Sequence, residues 1–159
     1  MRVWIVNPFD NLPLEGNRPQ RYWLMARSFV RAGHDVVLWT SDFSHARKAK
    51  RVLRDARPAG LSAGGDAPLP GALDVEGFRL VLVPTPGYPR NICLRRIWSH
   101  RAVAKRWRAA AGTMAAPDLV VGSLPPLCWL ALLPPALAVP VWGAFVRARE
   151  AWSRFSIRR

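Results

Sequence analysis

Short apolar runs alternate with amphipathic stretches along the chain. Runs rich in Val, Ile, Leu and Trp predict buried strands, because β-branched and aromatic side chains pack well on a pleated surface. Five such runs are present, at residues 2–6, 35–40, 78–83, 118–123 and 139–145. Strands that alternate with helices are typical of an α/β fold built on a parallel sheet.

The first predicted helix covers residues 18–32, where apolar side chains recur at helical spacing. Asn17 and Gln20 have the spacing of a capping box, and Gly33 provides a stop after the last turn. A strand, a helix and a second strand in this order predict a right-handed βαβ unit with parallel strands. We therefore expect the first, second and fourth strands to lie side by side.

A second helix is predicted over residues 91–114, with Ile97, Trp98 and Trp107 on one side and basic side chains elsewhere around it. A short apolar helix is predicted over residues 127–138. It lies in an uncharged stretch that is long enough to cross a bilayer. The prolines in that stretch interrupt a helix every few residues, so a segment buried in the protein is the favoured interpretation.

Two segments between these elements have a different composition. Residues 44–57 contain six Lys or Arg and a single Asp, which indicates a basic helix or arm. Residues 58–77 are rich in Gly, Pro, Ala and Asp, which predicts a flexible loop. The predicted fold class is therefore α/β, with a single doubly wound parallel sheet over residues 1–146 and a basic tail over residues 147–159.

The composition excludes several classes of protein. Half of the 159 residues are apolar, which excludes a disordered chain, and the length suits one domain. Two cysteines are too few for a disulfide framework, so a reducing, cytoplasmic compartment is expected, and the first residues lack a secretory pattern. No zinc spacing and no Asp-x-Asp pair occurs, so we expect no metal.

Ligands of an open parallel sheet bind beyond the carboxyl ends of its strands. After the first strand, Gly16, Asn17 and Arg18 lead into a helix N-terminus, whose free N–H groups and dipole favour a phosphate. An ordinary turn followed by a helix cap is the alternative. No dinucleotide-binding or P-loop glycine motif is present.

Two further strand ends carry candidate polar residues. Asp42 and His45 follow the second strand, three residues apart. A carboxylate near a histidine can tune its pKa for general acid or base catalysis, whereas a helix cap followed by a solvated histidine gives the same spacing. Ser123 follows the fourth strand, where it either donates a hydrogen bond to a ligand or belongs to a simple tight turn.

Five segments in order carry a resemblance to a known family. They are residues 3–8 (VWIVNP), 15–19 (EGNRP), 33–37 (GHDVV), 40–45 (TSDFSH) and 117–126 (PDLVVGSLPP). Together they resemble the N-terminal domain of GT-B-fold retaining glycosyltransferases of the family 4 type, close to bacterial enzymes that build surface polysaccharides. The resemblance implies a Rossmann-like domain that forms the acceptor side of a cleft, as one half of a GT-B fold.

The resemblance also implies roles for individual residues. Gly16, Asn17 and Arg18 correspond to the loop near the donor phosphates, and the acceptor side is lined by Ser41, Asp42, His45 and Ser123, with Asp42 and His45 as the catalytic candidates. A sugar would pass from a nucleotide sugar to a saccharide or lipid-linked acceptor, without a metal or other cofactor. The donor-binding half of that family is not found in this sequence, so we expect the chain to be inactive alone. It is then a fragment of a gene, a degraded remnant, or a half that needs a separate C-terminal half as its partner.

The formal net charge of +14 raises a different hypothesis, that of a basic non-catalytic module. Its partner would be an anionic membrane or a nucleic acid, although no recognised nucleic-acid motif is present, so no specific nucleic acid is expected. The predicted membrane-surface residues are Arg95, Arg96, Trp98, Arg101, Lys105 and Arg106. They would place the protein at the inner face of the plasma membrane; a merely solvated basic face is the third interpretation.

Overall fold

A computed structural model describes residues 1–53, 57–58, 71–122 and 145–147. The helices in these ranges are α1 (Arg21–Arg31) and α2 (Leu94–Ala111), with a short 3-10 helix at Pro13–Glu15. The strands are β1 (Arg2–Val6), β2 (Asp35–Ser41), β3 (Phe43–Ser44), β4 (Ala49–Lys50), β5 (Arg57–Pro58), β6 (Ala72–Val75), β7 (Phe78–Val83), β8 (Leu119–Gly122) and β9 (Phe145–Arg147). The chain therefore has α/β character.

Seven of the described strands form one mixed sheet in the order β5-β6-β7-β2-β1-β8-β9. The four central strands β7, β2, β1 and β8 are parallel to one another. The predicted adjacency of the first, second and fourth apolar runs is confirmed, because β1 lies between β2 and β8. The prediction of a wholly parallel sheet is wrong at both edges, where β6 pairs antiparallel with β7 and β9 pairs antiparallel with β8.

The turn between β6 and β7 explains why these two strands are antiparallel. Glu76 and Gly77 connect the two strands and both have positive φ, 49° and 86°. Two central residues with positive φ are the mark of a tight hairpin turn whose twist matches that of its strands. The predicted flexible loop over residues 58–77 is therefore wrong for Ala72–Val75, which form β6; residues 59–70 lie outside the described part of the chain.

Alternate residues of the parallel strands pack on opposite faces of the sheet. One core cluster joins Trp4 and Trp39 to Trp107 of α2. The other core cluster joins Ile5 and Leu38 to Trp23 of α1. Strands that are covered on both faces read as continuous apolar runs, which is why the sequence pattern identified them.

Helix α1 begins at Arg21, three residues later than predicted. The predicted capping box is wrong, since Gln20 is the N-cap without a side-chain bond and the Asn17 amide donates to the carbonyl of Leu12 at 3.1 Å. The physical reason lies in Pro19, because a proline disfavours helical backbone angles in the residue before it. The segment before α1 is consequently an extended loop.

Helix α2 presents its two tryptophans to different surroundings. Trp107 is 1% exposed and Trp98 is 61% exposed. Nine residues separate them, which is two and a half turns of an α-helix at about 3.6 residues per turn. The prediction that both lie on one side with Ile97 is therefore wrong: Trp107 belongs to the core, whereas Trp98 and Ile97 face outward.

The segment that follows β2 is an antiparallel pair, β3 with β4, and not the predicted basic helix. Its turn is closed by Lys48, whose φ is 54°.

The last predicted strand and the tail overlap only partly with the described residues. Phe145 is the last residue of the predicted fifth strand and the first residue of β9. Arg147 is the last residue of β9, so it does not belong to the predicted tail. Residues 123–144 and 148–159, which include the predicted helix at 127–138, lie outside the described residues. Of the helices described, neither is both long and apolar enough to cross a membrane.

Candidate functional site

The carboxyl ends of β1, β2 and β7 lie at one edge of the sheet because the three strands are parallel. The loops that follow them cover residues 7–20, 42–51 and 84–93. Hydrogen bonds join these loops to one another, for example from the Arg47 guanidinium to the carbonyl of Glu15 at 2.6 Å and from the Lys50 ammonium to the carbonyl of Thr85 at 2.5 Å. The candidate site is built from these three loops and the first turns of α2.

A buried ion pair fixes the first loop to the end of β2. The side chains of Glu15 and Arg51 are 0% and 1% exposed, and the Arg51 guanidinium donates to the Glu15 carboxylate. Arg51 also donates to the backbone carbonyls of Ser41 at 2.7 Å and Asp10 at 2.5 Å. Sequence analysis placed Arg51 in a basic arm; nothing in its local spacing indicates a buried partner far along the chain.

Asp10 is a second buried ionisable group in the same loop. The residue is 2% exposed, and its Oδ2 has no hydrogen-bond partner among the described residues. Burial raises the pKa of Asp10 to about 6, and the positive charge of Arg51 opposes part of that rise. Sequence reasoning missed Asp10 because a single aspartate in a loop carries no pattern.

The predicted phosphate loop lies at the solvent-exposed side of this arrangement. Gly16 has a φ of 81°, and both Gly16 and Arg18 are exposed. Asn17 is partly buried and holds the loop through its bond to Leu12. The N-terminus of α1 lacks a side-chain cap, so its first N–H groups stay open to a ligand. Phosphate binding by Gly16, Asn17 and Arg18 stays a prediction.

Asp42 and His45 have different partners in the structure. The Asp42 carboxylate accepts a hydrogen bond from the backbone N–H of Thr85 at 2.8 Å and forms an ion pair with Lys50. The Nδ1 atom of His45 lies 2.6 Å from the hydroxyl oxygen of Tyr88. Asp42 thus ties the ends of β2 and β7 together, and it is not the group that sets the state of the His45 ring.

His45 belongs to a cluster of aromatic and imidazole rings. Ring centroids lie 5.4 Å apart for Phe9 and His45, 5.2 Å for Phe9 and His100, and 5.8 Å for Tyr88 and His100. Burial and the charge of Arg96 lower the pKa of His100 to about 4. Burial followed by the charges of Lys48 and Arg96 lowers the pKa of His45. Both imidazoles are therefore neutral near pH 7.

The proton positions in this cluster follow from its donors. Burial raises the pKa of Tyr88, so its phenol keeps its proton and can donate to His45. The ammonium of Lys48, which can only donate, lies 3.3 Å from the same Nδ1 atom. Nδ1 is consequently the acceptor, and the N–H of the neutral His45 ring is at Nε2. Sequence reasoning missed Tyr88 and His100, since they lie 43 and 55 residues from His45 along the chain.

Ser41 lies behind the ring cluster and not on its surface. It is 4% exposed, and its hydroxyl lies 2.7 Å from the carbonyl of Pro8 and 2.8 Å from that of Phe43. It lines a cavity of about 10 Å³ with Tyr88 and His100. A cavity of this size holds about one water and no sugar. Ser41 is thus placed to support the loops; Ser123 lies outside the described residues.

The predicted membrane-surface residues lie along α2. Arg95, Trp98, Arg101, Lys105 and Arg106 are exposed, whereas Arg96 is half-buried against the ring of Tyr88. Apolar side chains that sequence analysis did not place on this surface accompany them. They are Ile92, Leu94 and Ile97, which are 95%, 84% and 59% exposed.

No metal-binding group of three or more His, Cys, Asp or Glu side chains is found within residues 1–53 and 71–122. Compared with known proteins, the chain matches no family model, no curated protein and no solved structure.

Proposed function

We propose that this chain is the N-terminal, acceptor-side half of a GT-B-type glycosyltransferase, with a Rossmann-like, doubly wound sheet. Two features support the proposal. In chain order, the four parallel strands are arranged third, second, first and fourth, which is the order of a dinucleotide-type half-sheet. The helices α1 and α2 pack on opposite faces, and the candidate residues gather at the carboxyl ends of the strands.

The observation that carries the proposal is the contact of 2.6 Å between the Nδ1 atom of His45 and the hydroxyl oxygen of Tyr88. A ring whose Nδ1 accepts from Tyr88 presents Nε2–H as a donor, and such a donor suits a hydroxyl oxygen of a saccharide. Phe9 adds an aromatic face beside it, against which the apolar side of a sugar can pack. His45 is therefore assigned to acceptor binding, and Asp42, which is already paired with Lys50, to positioning of the loops.

Sugar transfer itself requires more than this half. The donor diphosphate, the reacting carbon and the acceptor hydroxyl must be held together, because positioning and charge stabilisation supply most of the rate. The loop of Gly16, Asn17 and Arg18 would contact the donor phosphates, and a separate C-terminal half would bind the nucleotide sugar. The 159-residue chain alone is expected to show no turnover with any nucleotide sugar.

Saturation-transfer NMR of the purified chain with oligosaccharide acceptors tests this function. Saccharide signals are expected to be saturated by the wild-type chain and lost in His45→Ala. His34→Ala is the matched control, since His34 precedes β2 and thus lies at the opposite, amino end of the parallel strands. Absence of saccharide binding, or equal losses in both variants with unchanged circular dichroism, contradicts the assignment; measurable transfer by the chain alone contradicts the need for a second half.

A second candidate function is a non-catalytic basic module that binds an anionic membrane from the cytoplasmic side. The exposed Trp98 and Ile97 among arginines favour it, because tryptophan prefers the bilayer interface and each basic residue there contributes about 1 kcal/mol. Aliphatic side chains have no counterpart on a phosphate backbone, so a nucleic acid is less well matched. Binding to anionic vesicles that exceeds binding to single-stranded DNA at the same salt concentration supports the membrane function; the reverse result rejects it.

A further inference from the structure

A positively charged groove lies between the β3–β4 hairpin, the loop after β7 and the start of α2. Its volume is about 310 Å³, and Lys48, Lys50 and Arg95 lie on its walls beside Gly87 and Tyr88. It is distinct from the loop of residues 16–18 before α1. Three cationic side chains around one groove are a suitable lining for an anion with several oxygen atoms.

Four cationic side chains lie in this region, and among the described residues carboxylates neutralise few of them. The Lys48 ammonium lies 5.2 Å from the centre of the Tyr88 ring, and the Arg96 guanidinium lies 5.7 Å from the same centre. Of the four cations Lys48, Lys50, Arg95 and Arg96, Lys50 alone forms an ion pair with a carboxylate in the described part of the chain. Desolvation and the charge of Arg96 lower the pKa of Lys48, as expected for cations held near one another.

The wall of the groove is fixed by close packing. Gly87 has a φ of 71°, and a Cβ atom at this position would lie 2.8 Å from the ring of Phe43. The loop after β7 therefore rests directly on β3, where a larger residue has no space. Lys48 is held as well, because its ammonium donates to the backbone carbonyl of His45. The groove is thus a built feature and not a chance approach of long side chains.

Exposed apolar side chains lie directly beside this groove. Leu94, Ile97 and Trp98 flank Arg95 and Arg96 in the first turns of α2, and Ile92 precedes them with 95% exposure. A second open groove, of about 480 Å³, is lined by Ile92, Leu94 and Ile97 together with Arg96. A soluble anion would use the cations alone, whereas a lipid in a bilayer uses both the cations and the apolar side chains.

We propose that the groove of Lys48, Lys50 and Arg95 binds the terminal phosphate of an anionic lipid while Ile92, Leu94, Ile97 and Trp98 insert into the bilayer beside it. The inference rests on the membrane contact proposed above and adds a defined headgroup site to it. Charge complementarity favours a phosphate monoester, since Lys48 and Arg95 have no carboxylate partner among the described residues and a monoester carries more charge and more free oxygen atoms than a phosphodiester. The partner is the membrane surface and not a second copy of the chain.

Vesicle binding tests the headgroup site. The probes are phosphatidylcholine vesicles that contain either phosphatidic acid or phosphatidylglycerol, adjusted to equal zeta potential. The wild-type chain is expected to prefer phosphatidic acid. Lys48→Gln and Arg95→Gln should each weaken that binding about fivefold, the loss that corresponds to about 1 kcal/mol per basic residue. Arg108→Gln removes the same charge from the far end of α2 and should leave the preference intact.

Variants of the exposed apolar residues, tested with vesicles and with pyrophosphate, distinguish a lipid headgroup from a soluble phosphate. Ile92→Ser with Leu94→Ser is expected to weaken vesicle binding but not the binding of pyrophosphate, whereas Lys48→Gln weakens both. If Arg108→Gln is as harmful as Lys48→Gln, binding is diffuse and the headgroup site is rejected, although membrane binding stands. If the wild-type chain binds neither kind of vesicle, the proposed membrane function is rejected as well. If sedimentation shows a dimer that the double serine variant abolishes, the apolar surface is a protein interface and the proposal is overturned.

Discussion

Single residues determine how the strand-end loops are held. Glu15 and Arg51 form a buried pair, and Arg51 also donates to the backbone carbonyls of Asp10 and Ser41, so one guanidinium joins three points of the chain. Buried pairs of this kind cost much desolvation, and their loss leaves an uncompensated charge. The first loop is therefore positioned by charge and hydrogen bonds in addition to the burial of Leu12 in the core.

Asp10 gives the protein a pH dependence of stability that can be measured. Its pKa in the folded chain is about 6, above the ordinary 3.8, so the folded state binds more protons between these values. The free energy of unfolding must then fall as pH rises from about 4 to about 6. Asp10→Asn removes this pH dependence. The free energy of unfolding of the variant relative to that of the wild type should therefore be about 1–3 kcal/mol higher at pH 7.5 than at pH 4.

Urea unfolding at the two pH values measures this change, with Asp74→Asn as the control at an exposed carboxylate. The buried amide that Asp10→Asn introduces does not titrate, so any cost of leaving it without a partner is the same at both pH values and cancels in the difference. If the stability of Asp10→Asn relative to the wild type is the same at both pH values, the raised pKa is contradicted.

The residues of the site could be predicted only in part from sequence. Asp42 and His45 follow a strand directly, and a strand end is a position that sequence patterns locate. Tyr88 and His100 reach His45 only through the fold, since they come from another loop and from α2. Periodicity describes neighbours within an element and carries no information on which distant loops meet, so these partners had no sequence signal.

At the scale of elements, burial decides which strands a sequence reveals. The predicted bounds of β1 and β7 agree with the structure residue for residue, because both faces of these central strands are covered and all their residues except Arg2 and Arg79 are apolar. Strand β6, next to the edge strand β5, has one buried, two partly buried and one exposed residue and contains Asp74, so its composition resembles that of a loop. The β3–β4 pair is only two residues long on each side and basic, which favoured a helix or arm.

Helix α2 offers a direct test of its orientation through its two tryptophans. Trp107→Ala should lower the free energy of unfolding by about 3–5 kcal/mol, since Trp107 packs edge-on against Trp39 at a centroid distance of 6.2 Å in the core. Trp98→Ala should change it by about 0.5 kcal/mol or less, because 61% of Trp98 is exposed. Urea midpoints of the two variants provide the measurement, and equal losses would mean that α2 is rotated relative to the structure.

At the scale of the whole molecule, charge is distributed unevenly over a sheet that is apolar on both faces. The described ion pairs are few, and most involve solvent-exposed partners, which contribute little each. The formal net charge of +14 is the excess of 24 Lys and Arg over 10 Asp and Glu, so it remains even when every carboxylate is paired. Such a charge favours contact with anionic surfaces and opposes compaction through self-repulsion.

The stability of the chain should consequently rise with salt. Increasing the ionic strength from about 10 mM to about 150 mM shortens the Debye length from about 30 Å to about 8 Å and screens repulsion between arginines on different elements. The thermal midpoint is expected to increase over this range, measured by circular dichroism in sodium chloride. A variant with Arg101→Gln, Lys105→Gln and Arg108→Gln lowers the formal charge of +14 by three at exposed positions, and should show a smaller increase. A midpoint that falls with salt would show that exposed ion pairs outweigh repulsion in this fold.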